Sequence, residues 1–208
     1  KSLSVKKKTL NFYLTKLKDP KLKKLYNIFS NSLTSLNIVN KKIMVGVSGG
    51  VDSLSVLFFS KCYAIKHKAT LYPVIIDHKL RKESTYEARN LKYKLKKNFE
   101  IDCKILSKKI IKVDKNIQSY ARDLRYGLFL KECNKRNINC LLLGHHKDDL
   151  IENFFIRFLR GSGLKGLVSF DKNTINYSGI KIVRPFLSIS KKELIIINKK
   201  TFDFYVDD

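Results

Sequence analysis

The chain has 208 residues, 44% of them hydrophobic, which suits one α/β domain with a full core and excludes wholesale disorder. No apolar run approaches the ~18–20 residues of a membrane span, the lysine-studded start has no signal-peptide core, and Cys62, Cys103, Cys133 and Cys140 show no CxxC spacing; membrane, secreted disulfide-framework and zinc-site classes are set aside, and a cytoplasmic protein is expected. The formal net charge of +25 is the footprint of a polyanion binder, although a basic set made overwhelmingly of lysine is also what an AT-rich genome writes into any protein.

In chain order, Leu22, Leu25, Phe29, Leu33 and Leu36 recur at helical spacing behind Asp19-Pro20, an N-cap followed by proline at the first helical position. This predicts an N-terminal helix lying on the main domain. Short β-like runs at Ile43–Val47, Thr70–Asp77, Ile101–Leu106 and Asn139–Gly144 then alternate with helical patterns at Asp52–Lys66, Thr85–Asn98, Ile117–Arg136 and Asp148–Arg160. The alternation predicts βαβ units: an α/β fold with a parallel twisted sheet and helices on both faces. Ligands of such sheets sit beyond the carboxyl ends of the strands. The expected division is a helical extension over residues 1–40 and a main domain over 41–208. A chain that starts without methionine and stops at Val206-Asp207-Asp208 with no helix cap leaves room for further domains beyond either end.

The first strand runs into Ser48-Gly49-Gly50-Val51-Asp52-Ser53 and then an apolar helix. A strand, a tight glycine loop and a helix start make a phosphate cradle: glycines admit close approach, and free N–H groups with the helix dipole favour anions. Ser48 and Ser53 can donate hydroxyls, and Asp52 would repel phosphate unless Mg²⁺ intervenes. The loop is neither a Walker A nor a GxGxxG motif, and a plain Gly-Gly turn is the alternative. At the second strand end stands Asp77-His78-Lys79-Leu80-Arg81-Lys82-Glu83-Ser84. Ser84 to Glu87 also satisfies an S-x-x-E capping box, which explains Ser84 but not Asp77 or Arg81.

Within the third main-domain helix, Ala121, Leu124 and Leu128 are expected to face the core while Arg122, Arg125 and Tyr126 share another face. Two guanidiniums beside a phenol suit phosphate, and arginine used in pairs in a lysine-rich chain argues that lysine would not serve. Next, Gly144-His145-His146-Lys147-Asp148-Asp149 leads from a buried strand into a helix whose first turns carry Asp148, Asp149 and Glu152. Acids in a first turn are often dipole partners only, yet two histidines and three carboxylates beyond one strand end are candidates for chemistry. Last come Arg157 and Arg160 before Gly161-Ser162-Gly163, a glycine-punctuated loop suited to a nucleic-acid backbone, and then Arg184-Pro185-Phe186-Leu187. A helix C-cap would explain Gly161 alone.

The hexapeptide in its strand–loop–helix setting resembles the PP-loop of the N-type ATP pyrophosphatases, which cleave ATP between the α and β phosphates, adenylate an oxygen and release pyrophosphate. The later motifs resemble, in order, those of tRNA(Ile)-lysidine synthases: DHxLRxES, ARxxRY, GHHxDDQxET, RxxRGSGxxGL and RPLL. Leu150 stands in place of the family's glutamine and Asn153 in place of its threonine. The resemblance implies an adenine-nucleotide α-hydrolase-like catalytic domain over 41–208 that adenylates the wobble cytidine of a CAU-anticodon tRNA(Ile), after which free L-lysine attacks and AMP leaves. It implies ATP binding by Ser48, Gly49, Gly50, Val51, Asp52 and Ser53, with Mg²⁺ on Asp52 and Asp149. Asp77, His78, Arg81, Arg122, Arg125, His145, Asp148, Asp149 and Glu152 would serve catalysis or substrate binding, His145 as proton handler, and Arg157 and Arg160 would hold tRNA. Two rivals stand beside it: a PP-loop tRNA thiolase, which the lack of CxxC opposes, and a noncatalytic tRNA-binding remnant of the fold, in which the site residues should have decayed.

Overall fold

The computed structural model describes residues 11–34, 36, 38, 41–79, 83–108, 117–149 and 174–206. Helix α1 (Pro20–Thr34) starts where the Asp19-Pro20 pair predicts, with Asp19 Oδ1 accepting from the N–H groups of Lys21 and Leu22, both at 3.0 Å. Strand β1 (Lys42–Gly46) leads to α2 (Val51–His67), β2 (Thr70–Asp77), α3 (Ser84–Phe99), β3 (Lys104–Ser107), α4 (Ile117–Arg136) and β4 (Cys140–Leu142). An antiparallel pair follows, β5 (Thr174–Tyr177) and β6 (Ile180–Val183), and then α5 (Lys191–Lys200).

The sheet order is β3-β2-β1-β4-β6-β5, and every neighbouring pair is parallel except β5 with β6. The chain leaves β1 toward β2 on one side, and β4 lies against β1 on the other. The order reverses there, so a crevice opens beyond the carboxyl ends of β1 and β4. Both faces are covered, which explains the nearly continuous apolar strands. Ile43 and Val45 of β1 and Leu142 of β4 join a core with α1, α2, α3 and α5. Met44 and Leu141 point the other way, into a smaller core with Phe129 and Cys133 of α4. Ahead of α1, Tyr13 is fully buried among Phe12, Phe58 and Phe99 and donates its hydroxyl to the Phe99 carbonyl at 2.8 Å.

Several expectations change. No capping box forms at Ser84: it is already helical, Glu83 takes the N-cap position without a side-chain hydrogen bond, and the Ser84 hydroxyl donates instead to Asp77. A capping box does form at α5, between Ser190 and Glu193. On α4 the core stripe is Ala121, Phe129 and Cys133, with Leu124 and Leu128 only half-buried, because the helix turns its apolar seam toward β1 and β4 in its second half. The β5–β6 pair and α5 were not predicted. Of the helix predicted at Asp148–Arg160, residues 147–149 are helical and the remainder lies outside the described residues. Among the described residues no helix is long and apolar enough to cross a membrane.

Candidate active site

The loop after β1 is held by its own serine. Ser53 Oγ accepts from the N–H groups of Ser48 and Gly49 and from the Ser48 hydroxyl, each at 3.1 Å, and donates to the Gly50 carbonyl at 3.0 Å. Gly49 sits at φ +101°, a conformation that favours glycine. Its carbonyl accepts from the Val206 N–H at 3.0 Å, so the segment after α5 straps the loop from outside. Gly50 is the N-cap of α2 and brings no side chain, which leaves the first N–H groups of α2 to a ligand. Ser53 is thus the clasp of the loop, and Ser48 its more exposed hydroxyl.

At the end of β4 the backbone runs against the start of α2. A Cβ on Gly144 would meet Ser53 N at 2.8 Å and Asp52 C at 2.9 Å, so only glycine fits. Beyond it, pairing with the segment after β6 continues through the His146–Phe186 bridge and the Lys147 N–H to the Ile189 carbonyl. That zipper delivers the first turn of α5 to the same place. Lys191 Nζ lies 2.9 and 2.8 Å from the two carboxylate oxygens of Asp52, and the Lys191 N–H donates to Asp148 Oδ2 at 2.8 Å.

His146 is buried in the middle of three acids. Its Nε2 lies 3.6 Å from both Asp52 Oδ1 and Asp149 Oδ1, its Nδ1 accepts from the Asp148 N–H at 3.2 Å, and its own N–H donates to Asp149 Oδ2 at 2.9 Å. The Nδ1 contact turns the Nε2 edge of the ring toward the carboxylates. Across the crevice, Asp77 accepts from the Lys79 N–H, Ser84 and Thr85 at 2.9, 3.0 and 2.7 Å; burial pushes its carboxyl pKa up, and these donors outweigh it to hold it below the usual carboxylate range. Burial and then Arg125 lower the pKa of neighbouring His78. Arg122 lies over the Tyr126 ring, 5.9 Å from its centroid.

One cleft of about 570 Å³ gathers Ser48, Asp52, Ser53, Asp77, His78, Arg122, Arg125, His145 and Asp149. Gly49 and Gly50 of the loop and Val51, the first residue of α2, do not line it, and Asp148 holds the start of α5. Arg81, Glu152, Arg157 and Arg160 lie outside the described residues. Ile75, Ala88, Leu91 and Val206 add an apolar wall on which a base could lie.

A family profile for the PP-loop domain matches residues 18–208. The chain belongs to the PP-loop family. It is similar to the tRNA(Ile)-lysidine synthase of Orientia tsutsugamushi (strain Boryong), 39% identical over 155 residues that cover 74% of this chain and 34% of that protein. The tRNA(Ile)-lysidine synthase of Wolbachia pipientis wMel is 38% identical over 169 residues, 80% of this chain and 39% of that one. That of Rickettsia prowazekii (strain Madrid E) is 35% identical over 180 residues, 85% and 41%. The chain therefore spans well under half the length of these relatives. Among solved structures, the U34-tRNA thiolase NcsA from Methanococcus maripaludis with its 4Fe–4S cluster superposes with a TM-score of 0.75 at 18% identity, over 90% of this chain and 65% of that one. At that identity the likeness is one of fold, the adenine-nucleotide α-hydrolase-like sheet of PP-loop proteins.

Two site residues had little or no signal in the sequence. Lys191 is 139 positions from Asp52 and is one lysine among many. His146 was legible only as the neighbour of His145, yet it is His146 that meets the acids. His145 has another character: burial, then Arg184, Arg122 and Arg125, push its pKa down to about 3. It is a neutral imidazole at physiological pH. Its folded pKa lies below the ~6.5 of an exposed histidine, so from about pH 6.5 down to 3 the unfolded chain binds a proton that the folded chain does not. Stability attributable to His145 is present above that window and is lost as pH falls through it, by up to about 1.4 kcal/mol per pH unit. We expect urea unfolding at pH 7.5 and 5 to show roughly 2 kcal/mol less acid destabilisation in His145→Gln than in the wild type. Equal losses in both would contradict a neutral ring at His145.

Among the described residues, no group of three or more His, Cys, Asp or Glu side chains forms a metal site. Asp52 and Asp149 nevertheless both line the cleft beside the start of α2, and such a pair fits Mg²⁺, which is commonly held by one or two carboxylates together with substrate phosphates and water.

Proposed function

We propose that this PP-loop domain carries the catalytic site of a tRNA(Ile)-lysidine synthase, a ligase that adenylates the wobble cytidine of a CAU-anticodon tRNA(Ile) and joins free L-lysine to it through a carbon–nitrogen bond. The observation that carries the reading is the cleft itself: the uncapped start of α2 faces Arg122 and Arg125 across an opening that also holds Asp52 and Asp149. The similarity to lysidine synthases selects among the chemistries that such a cleft can serve.

In this reading the α2 N–H groups and Ser48 hold ATP phosphates, and the wall of Ile75, Ala88 and Leu91 takes a base. Mg²⁺ on Asp52 and Asp149 would screen the triphosphate charge. The cytidine O2 attacks the α-phosphorus, and the bond to the bridging oxygen breaks toward pyrophosphate. Lysine enters as an ammonium of pKa ~10.4 and must lose a proton before its amine attacks C2 and AMP leaves. After pyrophosphate has left, Asp149 is the carboxylate we assign to the lysine ammonium, whose proton passes to water, and Arg122 or Arg125 pairs with the lysine carboxylate or a phosphate.

The thiolase alternative is not favoured. All four cysteines are buried, none lines the cleft, and burial pushes the thiols of Cys103, Cys133 and Cys140 up to about 12. The test is the protein with ATP, Mg²⁺, CAU-anticodon tRNA(Ile) and radiolabelled lysine. We expect AMP and pyrophosphate in step with label entering tRNA. ADP and orthophosphate as the products would remove the PP-loop chemistry, and product formed from sulfide but not lysine would return the thiolase.

A further inference from the structure

We propose that Lys191 is a triphosphate-binding residue that exchanges partners, holding Asp52 in the free domain and a β- or γ-phosphate oxygen of ATP once the nucleotide arrives with its divalent cation. The inference rests on the adenylation reading above and adds to it a residue 139 positions away from the PP-loop.

The geometry of the free state is specific. Lys191 Nζ meets both oxygens of Asp52, at 2.9 and 2.8 Å, and Asp52 stands in the first turn of α2, the turn whose N–H groups lack a side-chain cap. An anion docked on those N–H groups therefore lies within reach of the same ammonium. The backbone beneath Lys191 is anchored on three sides. Its own N–H donates to Asp148, Ser190 and Glu193 close a capping box around it, and Ser55 of α2 reaches the Leu194 carbonyl at 3.2 Å. A fixed base under a flexible four-carbon stem suits a side chain that changes partner without moving its helix.

The ion pair itself is labile. The Lys191 side chain is 42% exposed and that of Asp52 is 23% exposed, so water competes for both and the pair contributes little to stability. A carboxylate in a phosphate cradle needs a cation at all times. Lys191 fills that need when the cleft holds no nucleotide. When a divalent cation takes Asp52, the ammonium loses its counter-ion beside the triphosphate, and the nearest anion is the phosphate chain. As the bond between the α-phosphorus and the bridging oxygen breaks, the electron pair goes to pyrophosphate, and Lys191 offsets the charge that develops there.

The test compares nucleotides that differ in the β and γ phosphates. Binding of ATP, inorganic pyrophosphate and AMP is measured by calorimetry with Mg²⁺ for the full chain, for Lys191→Met and for Lys191→Arg, with thermal melts beside them. Loss of one charge-assisted contact in Lys191→Met should weaken ATP and pyrophosphate by about tenfold or more and leave AMP within about threefold. Lys191→Arg should restore most of the loss. Equal weakening of all three ligands would make Lys191 a structural partner of Asp52 only. Unchanged or tighter ATP binding in Lys191→Met would make it a blocking counter-ion; either result overturns the proposal. Wild-type protein that binds ATP and pyrophosphate in this pattern but transfers no lysine would sink the lysidine reading and leave the role of Lys191 standing.

Discussion

Gly144→Ala is expected to lose ATP affinity by about a hundredfold or more while keeping the fold, because the added carbon collides with backbone that positions the phosphate donors. The new Cβ would lie 2.8 Å from Ser53 N, 2.9 Å from Asp52 C and 3.1 Å from Asp52 O. None of these atoms can rotate away, since they belong to the first turn of α2 and Gly144 directly follows the β4 pairing. The turn has to move, and with it the N–H groups left open by Gly50. Gly46→Ala is the control: its Cβ would approach Leu143 Cδ2 and Phe129 Cζ at 2.9 Å, both ends of side chains that can shift. Calorimetric ATP binding and thermal melts of the two variants decide the matter. We expect overpacking costs of about 1–3 kcal/mol in both and loss of binding only at position 144. ATP binding by Gly144→Ala at wild-type strength would show that the α2 start is not the phosphate site.

Asp52→Asn should lower pyrophosphate release by about three orders of magnitude, the scale seen when a preorganised charge is removed from a reacting centre. Asparagine has the same shape, and the pair with Lys191 is half-exposed, so the melting temperature should stay within a few degrees of wild type. The change removes the negative charge that we assign to Mg²⁺ and leaves the loop clasp at Ser53 intact. Initial rates followed against Mg²⁺ concentration separate the explanations: we expect the residual rate to respond weakly to added Mg²⁺. Turnover within tenfold of wild type would mean that Asp52 serves only to hold Lys191, and the metal assignment would fail with it.

Local chemistry decided how much of this domain is readable from its sequence. Asp19-Pro20 set the start of α1, because a side-chain cap and a fixed proline φ act within a few residues. The bounds predicted for β2 and α4 agree with those observed, since each has apolar spacing and a clear break at its end. The short β5 and β6 strands carry too few residues for periodicity to stand out, and α5 begins in a lysine-rich stretch whose moderate amphipathicity resembles solvated surface. The Ser84 capping box had the right residues, yet Asp77, seven positions upstream, offered a buried carboxylate that took its hydroxyl.

The sequence by itself determined the element order as far as β4, the parallel α/β class and a set of polar motifs at strand ends, because alternation of strand and helix allows few topologies and loops there must face one edge of the sheet. Which of those groups meet was decided only by the tertiary structure. The β4–β6 pairing brings α5 across to the start of α2, so that an inconspicuous lysine lands on Asp52 and His146 settles among three acids. The same packing sets half-buried His145 beside arginines and favours its neutral form. Charge and protonation depend on neighbours distant in the chain, and contacts between distant residues leave no mark in local spacing or composition.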